Sequence, residues 1–340
     1  MSRKVTIHDI ARELNTTVST VSRALNDHPA ISTNTKTLVR DMAKKLNYSQ
    51  NRLASSLRSG KTYNIGILIP SAELHFFGSV VHGIEKVLNE NGYNILLYQS
   101  GEQYNQEVKG VQTFLQSQVD GIIASIAFET KNFDHFLEIK KQNKPLVFFD
   151  RSNSELKVPS VTIDDYKGGY IATEHLIKQG YRRIAHISAK QRIKIFEDRL
   201  RGYKDALKAY GIAVNEDLIA YGDVSLESGK ECTALLLSKK PDAIFAVEDF
   251  TALGALQKLK ESGVDVPGKI GIIGFANESF SQYVTPSLST IEQQTIKMGE
   301  EAARLFLELA DKEKRYASAP NTIVLDPILL ARESSRRKKA

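Results

Sequence analysis

Near the start of the chain, apolar residues recur at the spacing of a helix. The first such segment has apolar residues at positions i, i+3, i+4 and i+7, namely Ile7, Ile10, Ala11 and Leu14. This spacing predicts a short amphipathic helix. Thr6, followed three residues later by Asp9, is the pattern of a capping box at its start. Asn15 then ends the pattern, and asparagine tolerates the left-handed conformation that a tight turn needs.

A second short helix is predicted directly after this turn, with Thr17 as its N-cap. Its apolar side is formed by Val18, Val21 and Leu25. Its outward side is formed by Ser19, Thr20, Ser22 and Arg23. Short hydroxyls and a guanidinium contact phosphates and base edges when a helix lies in the major groove of DNA. The pattern therefore favours a DNA-binding helix-turn-helix, although an ordinary helical hairpin with a polar face would also show it.

A third helix and a polar segment complete this region. Ser32 is the predicted N-cap of the third helix, whose apolar positions are Val39, Met42, Ala43 and Leu46. Residues 49–62 are polar except for Leu53, Ala54 and Leu57, which share one side if the segment is helical. A helix this short is marginal in water. The residues alone leave two alternatives open: a helix that folds only against a partner, or a flexible linker.

Positive charge is concentrated in the same region. Residues 1–61 contain eleven Lys and Arg residues against four acidic residues, a net charge of +7, whereas the whole chain of 340 residues carries +6. The other residues therefore sum to −1. This distribution is typical of a protein that binds a polyanion through its N-terminal region.

From residue 64 onward, continuous apolar runs alternate with helical patterns. The predicted strands are Ile65–Ile69, Ile95–Tyr98, Gly121–Ile126, Leu146–Phe149, Val161–Ile163, Arg183–Ser188, Ala243–Val247 and Ile270–Gly274. The predicted helices lie around 77–91, 104–118, 132–142, 165–179, 198–210, 226–238 and 250–262. Continuous apolar strands, each followed by a helix, indicate parallel sheets covered on both faces. The two series of units predict two similar α/β subdomains.

The end of the chain is predicted to hold one more helix, from Gln294 to Ala310, and short strands near 322–325 and 328–331. The polar tail lacks a heptad repeat, so no C-terminal coiled coil is expected. In open α/β sheets, ligands bind beyond the carboxyl ends of the strands. This rule selects residues 71–77, 99–101, 125–128, 150–151, 188–199, 222–225, 248–249 and 275–278. The cleft between two such subdomains is a favoured place for a small-molecule pocket.

Several classes of protein are disfavoured by the sequence. No run of 18 apolar residues predicts a membrane span, and the N-terminus has no apolar segment typical of a secretory signal. The single cysteine, Cys232, argues against a disulfide framework and indicates a reducing cytoplasm. Common nucleotide-binding, hydrolase and zinc-protease motifs are missing, and the histidines show no metal-ligand spacing. Asp164 and Asp165 fit the first turn of a helix. We therefore expect no enzyme, metal site or cofactor.

The order of motifs resembles the lactose-repressor and galactose-repressor (LacI/GalR) family. The resemblance begins with VTIHDIARELNTTVSTVSRALN and continues through FFGSVVHGIE, PLVFFDR, GYRRIAHIS, DRLRGYKDAL, VPGKIGIIGF, TPSLSTIEQ and ARES. It implies a homodimeric transcription factor with a helix-turn-helix headpiece (1–48), a hinge (49–62) and a periplasmic-binding-protein-like core (63–340). It also implies three crossovers between an N-subdomain, about 63–160 and 290–320, and a C-subdomain, about 162–288 and 322–333.

The resemblance assigns DNA-contacting roles to part of the N-terminal region. Val18 and Ser19 match positions that read bases, and Leu57 matches a leucine that enters the minor groove between two hinge helices. An apolar wedge of this kind kinks DNA, so the resemblance implies a hinge helix that folds only when it binds DNA. The residues expected at the DNA are Thr6, Thr17, Val18, Ser19, Thr20, Ser22, Arg23, Asn26, Ala54 and Leu57. The usual turn sequence Gly-Val-Ser is replaced here by Asn15, Thr16 and Thr17.

The resemblance also implies an effector pocket in the cleft. The residues expected to line it are Phe76, Phe77, Asp150, Arg151, Arg199, Glu248, Asp249 and Asn277. Arg199 matches an arginine that binds sugar hydroxyls. The family's Asn-Pro-Phe-Phe is here Leu74-His75-Phe76-Phe77, its Asn-Asp is Glu248-Asp249, and its Gly-Phe-Asp-Asp is Gly274-Phe275-Ala276-Asn277. A sugar or sugar derivative is expected, although these altered side chains argue against a common hexose.

The sequence thus predicts a cytoplasmic repressor of carbohydrate uptake or catabolism genes, which binds a pseudo-palindromic operator as a dimer under allosteric control by the effector. A solute-binding protein that has lost its DNA role is the alternative, and the positive headpiece counts against it. The effector could act as an inducer or as a corepressor, and the sequence leaves this sign open.

Overall fold

The computed structural model describes residues 5–48, 60–313, 315–317 and 320–337. Contacts between Cα atoms divide the chain into two units, Met1–Thr62 and Tyr63–Ala340. Most of the expected hinge, including Ala54 and Leu57, lies outside the described residues. We call the first unit the headpiece and the second the core.

The headpiece contains three helices, α1 (Ile7–Glu13), α2 (Val18–Leu25) and α3 (Thr33–Lys45). Each helix contributes two buried side chains to a shared apolar core, which consists of Ile10, Ala11, Val21, Ala24, Val39 and Ala43. The helices are too short to be stable alone, so this packing supplies their stability. The three predicted amphipathic helices are confirmed.

Local side-chain chemistry sets the ends of these helices. The predicted capping box at α1 is confirmed, with the amide and hydroxyl of Thr6 both donating to the Asp9 carboxylate, at 2.9 and 2.8 Å. Asn15 adopts a left-handed φ of 49° in the turn before α2. The Thr17 hydroxyl accepts a hydrogen bond from the Thr20 amide, and Ser32 accepts one from Thr35, as expected of N-caps.

The core contains two parallel sheets. Their strands, with those of a short ribbon, are β1 (Asn64–Ile69), β2 (Asn94–Gln99), β3 (Gly121–Ala124), β4 (Leu146–Phe149), β5 (Ser160–Ile163), β6 (Ile184–Ala189), β7 (Ile219–Gly222), β8 (Ala243–Ala246), β9 (Gly271–Ile273), β10 (Thr290–Glu292), β11 (Thr322–Leu325) and β12 (Ile328–Leu330). The first sheet has the order β11-β5-β4-β3-β1-β2, the second has the order β7-β6-β8-β9, and β10 pairs with β12 in the antiparallel ribbon.

Helices cover both faces of each parallel sheet. They are α4 (His75–Glu90), α5 (Tyr104–Gln116), α6 (Asp134–Lys141), α7 (Asp165–Lys178), α8 (Lys194–Ala209), α9 (Leu226–Leu237), α10 (Asp249–Glu261) and α11 (Thr295–Ala310). In the first sheet, Ile65 and Ile67 pack with α4 and α11, whereas Ile122 packs with α5 and α6 on the other face. Burial on both faces explains why the strands are continuously apolar.

Two predicted subdomain boundaries are wrong. The strand near 322–325 was expected in the C-subdomain, but β11 pairs in parallel with β5 and so extends the first sheet. Residues 290–292 were expected in the N-subdomain, but Ile291 of β10 is buried in the apolar core of the second. The chain therefore crosses between subdomains after β5, after β10 and after β11. Strands of three or four residues pair according to tertiary packing, which their local pattern does not encode.

The second subdomain contains a buried neutral histidine. His186 of β6 is fully buried, stacks between Tyr203 and Phe245, and donates from Nδ1 to the Phe245 carbonyl at 2.9 Å. Its Nε2 has no hydrogen-bond partner among the residues that the structure describes. Burial lowers the pKa of His186 to about 3.

We expect the substitution His186→Phe to make the core more resistant to acid. The unfolded imidazole binds a proton near pH 6.5 and the folded one does not, so the unfolding free energy of the wild type falls as the pH drops from about 6.5 toward about 3. Phenylalanine keeps the stacking and cannot be protonated. Thermal unfolding at pH 7 and pH 4.5 should show a smaller fall in Tm for the variant, and an equal fall would contradict this account.

Among the described residues, no helix is long and apolar enough to cross a membrane. The same residues contain no group of three or more His, Cys, Asp or Glu side chains arranged to hold a metal ion.

Candidate functional site

One exposed face of α2 carries the polar side chains that the sequence predicts at DNA. Ser19, Arg23 and Asn26 are exposed, and Thr17 is exposed at the N-cap. At the N-terminal end of the helix, the Thr17 hydroxyl lies 2.8 Å from the Ser19 hydroxyl and 2.9 Å from the Thr20 hydroxyl. Helix N-termini attract phosphates because their amides carry partial positive charge. This face therefore presents a helix N-terminus and an exposed guanidinium, two kinds of group that can contact phosphates.

The remaining predicted DNA residues are less exposed. Val18 is partly buried and packs against the headpiece core, so only part of its side chain is accessible. Thr20 and Ser22 are also partly buried, and the Ser22 carbonyl accepts a hydrogen bond from the Asn26 side chain at 2.8 Å. Thr6 is partly buried, and its hydroxyl donates to Asp9.

A cavity of about 90 Å³ lies between the two core subdomains, and we call it the effector pocket. Its lining is Leu74, Phe76, Phe77, Glu102, Phe128, Asp150, Arg151, Ile195, Phe196, Arg199, Val224, Glu248, Ala276, Glu278 and Gln293. Most of these residues follow the carboxyl ends of strands, as the rule for open α/β sheets predicts. Six of the eight residues predicted for the pocket are in this lining.

Arg199, on α8, is held rigidly at the wall of the pocket. Its guanidinium donates to the carboxylate of Asp165 at 2.8 Å, to the Val247 carbonyl at 2.9 Å and to the Gln293 amide oxygen at 3.3 Å. It also lies 3.6 Å from the centre of the Phe275 ring. Arg199 is only 3% exposed, so its position is fixed before any ligand binds.

Arg151 forms the opposite wall, in the first subdomain. Its guanidinium donates to both oxygens of Glu102, at 3.0 and 2.8 Å, and lies 3.8 Å from the centre of the Phe128 ring. The neighbouring Asp150 adopts a left-handed φ of 58°, which turns the chain sharply at the end of β4. A guanidinium that is paired with a carboxylate and stacked on an aromatic ring is a well-ordered arrangement for arginine.

Carboxyl groups around the pocket have perturbed pKa values. Burial raises the pKa of Asp150, Glu248 and Glu278, and it raises the pKa of Asp165 to about 7 despite the contact with Arg199. Burial disfavours the charged form of a carboxyl group. Perturbed groups tend to cluster at functional sites, and Asp150, Glu248 and Glu278 all line the effector pocket.

Two predicted pocket residues, Asp249 and Asn277, do not line the cavity. Asp249 is fully buried, and its two oxygens accept hydrogen bonds from the Thr290 hydroxyl at 2.7 Å and the Glu278 amide at 2.8 Å. Burial raises the pKa of Asp249 to about 7. Asn277 donates to Glu292 at 2.6 Å and accepts from Arg332 at 2.8 Å. Both residues hold the loop after β9 in place rather than face the cavity.

Several lining residues were not predicted as ligand contacts. Glu102 lies just beyond the range selected after β2, and Gln293 directly follows β10, a strand that the sequence did not predict. Phe128 and Glu278 fall within the ranges selected by the strand-end rule, and that rule was the signal that identified them. Residue type alone gave no reason to choose them over their neighbours.

A larger groove of about 710 Å³ adjoins the effector pocket and shares Phe128, Asp150, Arg151 and Ile195 with it. Three exposed basic side chains are part of its lining: Arg192, Lys194 and Arg201. The pocket and groove together offer aromatic faces, fixed guanidinium donors and buried carboxyl groups. Such a lining suits a ligand with apolar faces and several hydroxyl groups.

Models of two protein families match the chain. Residues 6–51 match bacterial regulatory proteins of the lacI family, and residues 62–319 match periplasmic binding proteins and the sugar-binding domain of the LacI family. The first match covers the headpiece, and the second covers nearly all of the core.

Curated relatives match along almost the whole chain. Catabolite control protein A of Priestia megaterium is 35% identical over 312 residues, which cover 91% of this chain and 93% of the relative. The ribose operon repressor of Haemophilus influenzae is 31% identical, with 97% of this chain and 98% of the relative covered.

A solved structure of the lac repressor dimer, bound to operator and the anti-inducer ONPF, has a TM-score of 0.84 and 25% identity. The structural alignment covers 98% of this chain and 99% of the lac repressor chain. The resemblance noted in the sequence is therefore confirmed, together with the predicted fold class. The chain belongs to the LacI family of bacterial DNA-binding transcriptional regulators.

Proposed function

We propose that this regulator is a repressor of carbohydrate uptake or catabolism genes, acting in the cytoplasm as a homodimer on a pseudo-palindromic operator under control of a small-molecule effector. One observation carries the proposal. The same chain combines a helix with an exposed polar and basic face, α2, with a core whose cleft places Arg151 and Arg199 on opposite walls of one cavity.

The DNA-binding part of the proposal rests on charge and exposure. Arg23 and Ser19 would reach base edges and phosphates, with Thr17, Val18, Thr20, Ser22, Asn26 and Thr6 supporting them. The net charge of +7 over residues 1–61 supplies the attraction to the phosphate backbone. Leu57 and Ala54 would enter the minor groove at the operator centre, in the manner of an apolar wedge.

The effector part of the proposal rests on the chemistry of the pocket. Sugar hydroxyls would accept hydrogen bonds from Arg199 and Arg151 and donate to Asp150 and Glu248. The apolar face of a sugar ring would pack on aromatic side chains such as Phe76, which lines the cavity. A related protein is by name a ribose operon repressor, which supports a sugar or sugar derivative as the ligand.

Control would arise because the pocket lies between two subdomains joined by three crossovers. A ligand that binds one arrangement of the subdomains more tightly than another shifts the population toward it. If operator affinity differs between the two arrangements, effector and DNA become thermodynamically linked. The sign of this linkage decides whether the effector is an inducer or a corepressor.

The proposal is tested by selecting genomic fragments with the purified full chain and then screening sugars and phosphorylated sugars by thermal shift. A ligand that binds the folded state raises Tm. We expect retention of fragments that contain pseudo-palindromic sites, and at least one sugar that raises Tm. Retention of no fragment above background would contradict the DNA-binding role, and a screen without any shift would contradict the effector class.

A further inference from the structure

Glu278 makes a contact that joins the two subdomains across the cleft. It follows β9 in the second subdomain, and its carboxylate oxygens accept hydrogen bonds from the backbone amides of His75, at 3.2 Å, and Phe76, at 3.4 Å. These amides belong to the first turn of α4, in the first subdomain. Glu278 is only 4% exposed, so water competes poorly for this contact.

The helix that receives this contact has no cap of its own. The N-cap position of α4 is Leu74, which has no side-chain oxygen and makes no side-chain capping bond. The first-turn amides of a helix need acceptors, and they carry the positive end of the helix dipole. A carboxylate at this place supplies both the acceptor and the complementary charge. Glu278 therefore acts as the N-cap of α4 from another subdomain.

The loop that carries Glu278 is held in an unusual conformation. Ala276 and Asn277 have φ values of 108° and 53°, in the region that favours glycine. The Glu278 amide donates to Asp249 at 2.8 Å, and the Asn277 amide donates to the Thr290 hydroxyl at 3.1 Å. Strained conformations persist where their surroundings fix them. This support aims the Glu278 carboxylate across the cleft.

We propose that Glu278 is a cross-cleft latch, a positioning residue that holds the two core subdomains in the present arrangement by capping α4, without any ligand. The contact also fixes the first turn of α4, which carries Phe76 and Phe77 into the effector pocket. A ligand then binds to a cleft whose walls are already placed, and loss of the latch reduces the fraction of molecules in that arrangement.

The test uses the full chain with Glu278→Ala and Glu278→Gln. Hydrogen exchange should become faster by on the order of tenfold or more at the His75 and Phe76 amides in Glu278→Ala, because a charge-assisted acceptor is lost. Small-angle scattering should show a larger radius of gyration at unchanged oligomeric mass. The effect of Glu278→Gln should be smaller, since its amide oxygen still accepts one bond.

Two further variants make the result specific. Glu248→Gln alters another cleft carboxyl group, which caps its own helix by accepting from the Phe250 amide at 2.7 Å, so exchange should change at Phe250 and not at α4. His75→Pro removes one donor from the α4 side at the first helical position, where proline is tolerated. It should reproduce part of the change in radius of gyration if Glu278→Ala proves too unstable to study.

If the His75 and Phe76 amides exchange at unchanged rates in folded Glu278→Ala, Glu278 does not cap α4 and the proposal is wrong. Faster exchange with an unchanged radius of gyration would overturn the latch and leave only a local cap. Neither readout involves DNA or an effector, so the inference can fail or hold independently of the proposed function.

Discussion

Replacing Arg199 with alanine is expected to lower the unfolding free energy of the core by about 3–5 kcal/mol, the range measured when one partner of a buried ion pair is removed. Arg199 and Asp165 are both buried, and the substitution leaves Asp165 without its guanidinium partner. The Val247 carbonyl and the Gln293 side chain lose donors as well. Chemical denaturation followed by circular dichroism measures this loss.

The same substitution should abolish the thermal shift produced by the effector, since the guanidinium is the fixed donor of the second subdomain's wall. The double variant Arg199→Ala, Asp165→Asn separates the two effects. Removing the unpaired carboxylate should restore part of the stability. It should not restore the ligand-induced shift. A ligand response that survives in this double variant would show that Arg199 does not contact the effector.

Replacing Arg23 with alanine is expected to weaken operator binding by about 1–3 kcal/mol, roughly 5- to 150-fold in affinity. Arg23 is exposed on the face of α2 that carries the hydroxyl cluster. If it contacts a phosphate, the slope of log affinity against log salt should become less steep by about 0.9. If it contacts a base, discrimination between operator variants should fall instead. Fluorescence anisotropy at several salt concentrations distinguishes these results.

Arg40→Ala is the matched control for Arg23→Ala. Arg40 lies on α3 and pairs with Asp27, and its removal lowers the headpiece charge by the same single unit. A purely electrostatic effect of net charge would weaken binding equally in the two variants. We expect a much smaller loss for Arg40→Ala, and equal losses would contradict a specific role for α2.

The sequence predicted the headpiece well because its signals are local. A cap such as Thr17 and a left-handed turn residue such as Asn15 act within a few residues, and the structure confirms both. The predicted core helices and strands lie close to their observed positions, since buried parallel strands are continuously apolar. Two short strands, β7 and β10, were not predicted. The pairing of β11 with β5 joins segments far apart in sequence, and no local pattern encodes it.

The effector pocket shows the same limit for side chains. The strand-end rule located most of the lining, whereas matching family motifs position by position placed Asp249 and Asn277 in the pocket, where they are not found. Their side chains instead hold the loop that carries Glu278. The direction of a side chain at a strand end depends on hydrogen bonds with distant partners, here Thr290 and Arg332, and composition gives no indication of these partners.

The central claim is that ligand binding in the core and operator binding by the headpiece are coupled. The most direct test is the affinity of the full chain for its selected operator, measured by fluorescence anisotropy with and without a saturating sugar identified by thermal shift. We predict a change of about 5- to 150-fold, the range of allosteric coupling free energies, in either direction. Equal affinities within twofold, for a ligand that clearly raises Tm, would contradict the account.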